Sequence, residues 1–139
     1  MTPREAQIVA LARQWLDTPY RHQASCLGAG CDCLGLVRGI WRTLYGHEPV
    51  ALPPYRPDWR DKAHADGLVR AAQTLLRREV APAAGRVVLF SFHRGLPAKH
   101  CGVLVAPDRF IHAQERLGVV EAALTPGWQR RVAGIYSFP

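Results

Sequence analysis

No apolar run in this chain approaches the roughly 18 residues that would suggest a membrane span. The opening Met1-Thr2-Pro3-Arg4-Glu5 also lacks the basic, apolar and small-residue succession of a signal peptide. Synthesis in the cytoplasm without a signal peptide is therefore expected. Long basic blocks are missing too: 18 Lys plus Arg against 11 acids give a formal charge of +7, but they are spread out, with only pairs such as Arg77-Arg78 and Arg130-Arg131. There is no helix-turn-helix signature and no aromatic-basic ribbon, so the charge alone does not make a nucleic-acid binder. It suits acidic partners in general, anionic cell wall among them, or a solvated surface with no particular partner. Internal repeats and low-complexity tracts are absent, and the four cysteines lack the paired C-x-x-C units of structural zinc modules.

What remains is the balance of an ordinary globular protein. With 139 residues, 48% apolar and 21% charged, the chain fits a single domain over residues 1–139 whose core needs no metal or disulfide staple. Thr2-Pro3-Arg4-Glu5 is a capping box with proline at the first helical position, and Ile8, Leu11, Ala12 and Trp15 follow on one face. Thr18-Pro19-Tyr20 ends that helix. A loop from Arg21 to Cys31 carries His22, Gln23, Ser25 and Cys26. Asp32 then caps a second helix, from about Cys33 to Tyr45, in which Leu36, Val37, Ile40, Trp41 and Leu44 recur at helical spacing until Gly46. Pro49 to Asp61 reads as an irregular excursion, and Ala65 to Arg78 as a third helix with Leu68, Ala72, Leu75 and Leu76 inward.

After Pro82 the period becomes two. Strands are expected at Arg86 to Phe92, Lys99 to Val105, Phe110 to Gln114, Val119 to Leu124 and Val132 to Phe138, with turns at Gly95-Leu96-Pro97, Pro107-Asp108 and Thr125-Pro126-Gly127. Helices first and strands second give the α+β class, with the helices on one face of a five-stranded antiparallel sheet.

One residue stands out chemically. Cys33 sits at a glycine-rich loop-to-helix junction, Gly30-Cys31-Asp32-Cys33-Leu34-Gly35-Leu36-Val37. There the unpaired N–H groups and the positive end of the helix dipole favour thiolate over thiol. A cysteine nucleophile needs a base, and the base an orienting group. His100 in Lys99-His100-Cys101-Gly102-Val103 and His112 in Phe110-Ile111-His112-Ala113 are 12 residues apart. A hairpin pairing Gly102 with His112 makes His100 a diagonal neighbour on the same face, roughly 7 to 8 Å away. A plain two-residue turn would put the two on opposite faces, so the catalytic reading demands an odd loop or a bulge. It also expects the histidines on the face turned toward the second helix, with Cys101 pointing away from Cys33.

These strings resemble the NlpC family of bacterial cell-wall cysteine peptidases, over Trp15 to about Trp128. Thr18-Pro19-Tyr20 with His22-Gln23-Ala24-Ser25, and Trp128-Gln129-Arg130-Arg131, are similar to its bacteriophage and gene-transfer-agent branch, encoded among tail genes. The resemblance implies a papain-like fold. It also implies cleavage of peptidoglycan stem peptides, commonly between D-glutamate and diaminopimelate, with action in the host cell wall and tail proteins as partners. By motif, Cys33 matches the nucleophile, His100 the general base, His112 the orienting residue and Tyr20 a tyrosine lining the site. Asp32 matches an acid that in relatives helps hold the substrate's free amine. Leu34, Cys101 and Arg86 depart from the commoner serine, valine and aspartate. No cofactor or metal is expected.

Two other readings compete. Cys26, Cys31 and Cys33, with His22 nearby, offer ligands for a small zinc-binding module. A non-catalytic tail-structural or cell-wall-binding protein of the same fold is the other, although a scaffold has no need of Cys33, His100 and His112 together.

Overall fold

The computed structural model describes residues 1–49, 66–93 and 95–139. The expected excursion lies, from residue 50 onward, outside the described residues. Among those described, no helix is long and apolar enough to cross a membrane.

The first helix, α1 (Pro3–Gln14), starts on the expected reciprocal cap: Thr2 Oγ1 accepts from Glu5 N, and the Glu5 carboxylate accepts from Thr2 N. Two short strands, β1 (Ser25–Cys26) and β2 (Gly30–Cys31), pair antiparallel within the loop that precedes α2 (Cys33–Tyr45). Asp32 caps α2, and Gly46 closes it in the left-handed region at φ 78°, where glycine has no Cβ to clash.

The third helix, α3, is shorter than its periodicity suggests, spanning Gly67–Leu75. Arg77–Glu79 instead forms a strand, β3, paired antiparallel with the chain's last strand, and the sheet has six strands rather than five. Leu76 leaves the helix in an extended conformation. The ladder to Ile135, Tyr136 and Ser137 then supplies the backbone partners that a longer helix would have given. The other strands fall close to expectation: β4 (Val87–Ser91), β5 (Ala98–Ala106), β6 (Arg109–Gln114), β7 (Gly118–Ala123) and β8 (Val132–Ser137). Their order in the antiparallel sheet is β3-β8-β4-β5-β6-β7. Arg86, one of the departures from the family pattern, pairs with Glu79 of β3 and donates to the Ala81 carbonyl.

Both faces of the sheet are covered. Val87, Leu89, Cys101, Val103, Val105 and Ile111 pack against α1, α2 and α3. Val88, Phe90, Leu104, Phe110, Leu124 and Ile135 form a second cluster on the far face. There Trp128 closes it from a short helix, α4 (Pro126–Gln129), capped by Thr125. The expectation of helices on one face alone misses α4, because its four residues are too few to show a period.

Bulges set the register. Between β5 and β6, Leu104 faces Phe110 but Ala106 faces Arg109, so Val105 is the extra residue and the turn is the two-residue Pro107-Asp108. This bulge restores the register that puts His100 and His112 on one face. A second lies between β4 and β5, where Phe90 faces His100 and Ser91 faces Ala98, so that Lys99 is the extra residue of β5 immediately before His100. Bulges of this kind re-aim a side chain where a ladder ends.

Candidate active site

The start of α2 is pinned from several sides. Asp32 Oδ1 accepts from Gly35 N at 2.6 Å and Oδ2 from Gln23 N at 2.7 Å. One carboxylate thus caps the helix and holds the preceding loop. Ser25 Oγ donates to the Gly35 carbonyl at 2.6 Å. Arg42, one helical face further along, donates to both Oγ and the carbonyl of Ser25 and pairs with Glu48. Tyr20 is brought alongside by its bridge to Cys31. Burial raises the Asp32 carboxyl above its ordinary value against those two N–H bonds. Asp32 does not line the neighbouring cleft, and the oxygens suggested for a substrate amine are both bonded to backbone.

Cys33 is the first helical residue, where the N–H groups have no intrahelical partner. Only 3% exposed, it is held well below the ordinary thiol value. The Cys101 thiol hydrogen-bonded to it and the His100 ring beside it both lower it, while burial acts the other way. Cys31 and Cys101 shift oppositely: burial pushes Cys31 up to about 12, and the bond to Cys33, then burial, holds Cys101 well above its usual value. Cys33, at the helix start and beside the His100 ring, is therefore the residue of the three placed to carry the thiolate.

The Cys101 contact corrects the sequence reading. Alternation separates the residues as expected, with His100, Gly102 and Leu104 on one face and Cys101, Val103 and Val105 on the other. It is the Cys101 face that meets the helices, and Cys101 Sγ donates to the Cys33 carbonyl at 3.4 Å. The reason is packing: Cys101, Val103 and Val105 are the apolar series that α1 and α2 bury, while the histidines share the far face with Phe90, Phe110 and Trp128.

On that far face His100 Nε2 lies 2.7 Å from His112 Nδ1. Nδ1 is then the His100 nitrogen left for Cys33. Burial first, then the charges of His100 and Arg131, lower His112 to about 3. His112 is therefore neutral at ordinary pH. When His100 is an imidazolium it donates from both nitrogens, so His112 accepts at Nδ1 and keeps its own proton on Nε2. Gly102 makes room: a Cβ there would lie 2.9 Å from the Ile111 carbonyl oxygen and 3.2 Å from His112 Cβ.

The depressed His112 makes stability pH-dependent. The unfolded chain takes up this proton near 6.5, the folded one only near 3. Between those values the unfolded state binds more protons, so stability is full above 6.5 and declines as pH falls toward 3. Thermal unfolding followed by circular dichroism should show a Tm loss from about pH 7 to about pH 4.5 that is smaller in His112→Asn by about 5 °C or more. Equal slopes would mean that His112 does not titrate this way.

A cleft of about 450 Å³ opens over these groups, lined by Tyr20, Cys33, His100 and His112 together with Phe92, Lys99, Gln114, Glu115, Arg116, Trp128 and Arg131. Sequence reasoning did not single out Trp128 or Arg131 as parts of the site. Trp128 stands edge-on to His112 at 5.4 Å. Arg131 stacks on Trp128 at 4.4 Å and donates from Nε to the Ser91 carbonyl at 2.9 Å. An aromatic and a cation three residues apart, just before the last strand, were the available signal.

The alternative zinc ligands are not brought together. Cys26 is exposed while Cys31 and Cys33 are buried, and among the described residues no group of three or more His, Cys, Asp or Glu side chains is placed to hold a metal.

Comparison with known proteins fits this geometry. No curated protein sequence matches the chain. Among solved structures, the NlpC/p60 domain of the peptidoglycan hydrolase SagA superposes with a TM-score of 0.64 at 20% identity, covering 96% of this chain and 98% of that one. An NlpC/P60 family protein from Bacillus cereus gives 0.67 at 19% identity, covering 99% of this chain and 41% of that one. A lipoprotein-like NLP/P60 protein from Staphylococcus aureus gives 0.64 at 20%, covering 99% and 42%. The chain thus spans less than half the length of the latter two. Such likenesses establish the papain-like fold, and the NlpC/P60 family model matches residues 17–137, nearly the whole chain. By that match the chain belongs to the NlpC/P60 family.

Proposed function

We propose that the protein is a cysteine endopeptidase that hydrolyses peptidoglycan stem peptides through a Cys33-His100-His112 triad. The observation that carries this reading is the continuous contact from a helix-start thiolate to His100 and on to a neutral His112, at the floor of one cleft. His100 takes the thiol proton, and Cys33 Sγ attacks the amide carbonyl carbon. The oxyanion forms beside the Cys33 N–H and the Tyr20 hydroxyl. The C–N bond breaks as His100 protonates the leaving amine, which leaves a thioester. His100 then takes a proton from water, the hydroxide attacks the thioester, and a carboxylate is released with Cys33 regenerated. His112 holds the His100 tautomer throughout. Asp32 serves the reaction through the cap that fixes Cys33.

The substrate class is supported by the family, by the hydrolase SagA of like fold, and by a formal charge of +7 suited to an anionic wall. The family resemblance supports the bond between D-glutamate and diaminopimelate, and the motifs around Tyr20 and Trp128 support a tail-associated hydrolase acting in the host wall. Incubation with purified peptidoglycan, followed by mass analysis of released peptides, tests this. A new diaminopimelate amine with a matching D-glutamate carboxylate is expected. Unchanged peptidoglycan at enzyme concentrations that leave Cys33 reactive to iodoacetamide would favour the non-catalytic wall-binding alternative.

A further inference from the structure

Cys101 is a buried nucleophilic group that the peptidase mechanism does not use. It is 1% exposed, comes from β5 on the helix-covered face, and points at Cys33. Its Sγ lies 3.4 Å from the Cys33 carbonyl oxygen, which sets this sulfur directly against the residue that carries the nucleophile. Cys33 thus has both the His100 ring and the Cys101 thiol as neighbours. From the open side, the cleft lined by Cys33 admits a molecule as small as a peroxide. Cys26, by contrast, is exposed on β1.

We propose that Cys33 and Cys101 form a reversible disulfide when the protein meets a peroxide, with Cys101 as the resolving thiol, so that oxidation pauses the enzyme instead of destroying it. The Cys33 thiolate attacks one peroxide oxygen and the O–O bond breaks. The departing hydroxide takes the proton held on His100 and leaves as water, and Cys33 becomes a sulfenic acid. Cys101 sulfur then attacks Cys33 sulfur. The S–O bond breaks, and the hydroxide leaves with the Cys101 proton as a second water. Two thiols are oxidised by one electron each and the peroxide is reduced by two. Cys101 Sγ already touches the Cys33 backbone, so turning the two side chains toward each other brings the sulfurs to the bonding distance of about 2.05 Å. Conversion of Cys33 to an uncharged sulfenic acid also removes the like charge that opposes ionisation of Cys101. A later thiol reductant reopens the bond.

The inference rests on Cys33 being the reactive thiolate, so that reactivity is read first, by iodoacetamide labelling of reduced protein. Protein is then exposed to about three equivalents of hydrogen peroxide, enough for a lone thiolate to pass beyond sulfenic acid, and its intact mass and non-reduced peptide map are taken. The expected result is a loss of about 2 Da, a Cys33–Cys101 cross-linked peptide, and recovery of Cys33 labelling after reductant. Under the same dose Cys101→Ser and Cys101→Ala should instead gain about 32 Da at Cys33 and recover no labelling. Labelled Cys33 followed by the same gain in the unsubstituted protein would overturn the disulfide and leave the nucleophile standing. A disulfide to Cys31 would also overturn it. Cys33 that does not label before peroxide would overturn the nucleophile and the disulfide together.

Discussion

Cys33→Ser and His100→Ala should each lower kcat/KM on a soluble stem peptide by on the order of 10⁶-fold, and combining them should cost little more. The two residues act as one unit. A serine hydroxyl at position 33 keeps the hydrogen bonds but has no accessible anionic form, and a thiol without His100 loses both the charge beside it and the imidazole that carries its proton. His112→Ala should cost about a hundredfold less, because water can partly replace an orienting group but not the group that moves the proton. His112→Asn should recover much of that loss, since an amide oxygen can accept from His100 Nε2 where Nδ1 now does. Steady-state kinetics with mass-spectrometric detection reads all five variants. A His112→Ala defect as large as that of His100→Ala would mean that His112 does more than orient His100.

Much of this was legible in the sequence because local chemistry fixed it. The Thr2 and Asp32 caps placed the starts of α1 and α2 to the residue, and Gly46 placed the end of α2. The pairing of His100 with His112 followed from period-two alternation, once a hairpin containing a bulge was required. Val105 supplies that bulge. What the sequence did not reveal was tertiary in origin. Alternation divides β5 into a His100 set and a Cys101 set, but only the packing of α1 and α2 decides which set meets the helices. Leu75-Leu76 continues a helical period past the end of α3, and the edge of β8 then takes the following residues as a strand. Asp32 looked available to a ligand in sequence. In the fold its oxygens are committed to Gly35 and Gln23.

Gly35→Ala should unfold the start of α2 and silence Cys33 at once. By helix propensity alone the substitution is favourable, by about 1 kcal/mol at an interior position. Packing reverses the sign. A Cβ on Gly35 would lie 1.9 Å from the Ala24 carbonyl oxygen and 3.1 Å from Asp32 Oδ1, and a backbone carbonyl cannot swing aside as a side-chain tip can. The Ala24 carbonyl is itself held by Asp32 N at 3.2 Å. Any movement that relieves the clash therefore pulls apart the loop, the Asp32 cap and the Ser25 bond to the Gly35 carbonyl together. Overpacking of about 1 to 3 kcal/mol and loss of the cap, about 1 kcal/mol more, outweigh the propensity gain. Urea unfolding should show a lower midpoint at unchanged slope. Iodoacetamide labelling of the folded fraction should be slower at Cys33, because the helix start no longer surrounds the sulfur. An unchanged midpoint with Cys33 still fast to label would mean that the loop yields without moving the nucleophile.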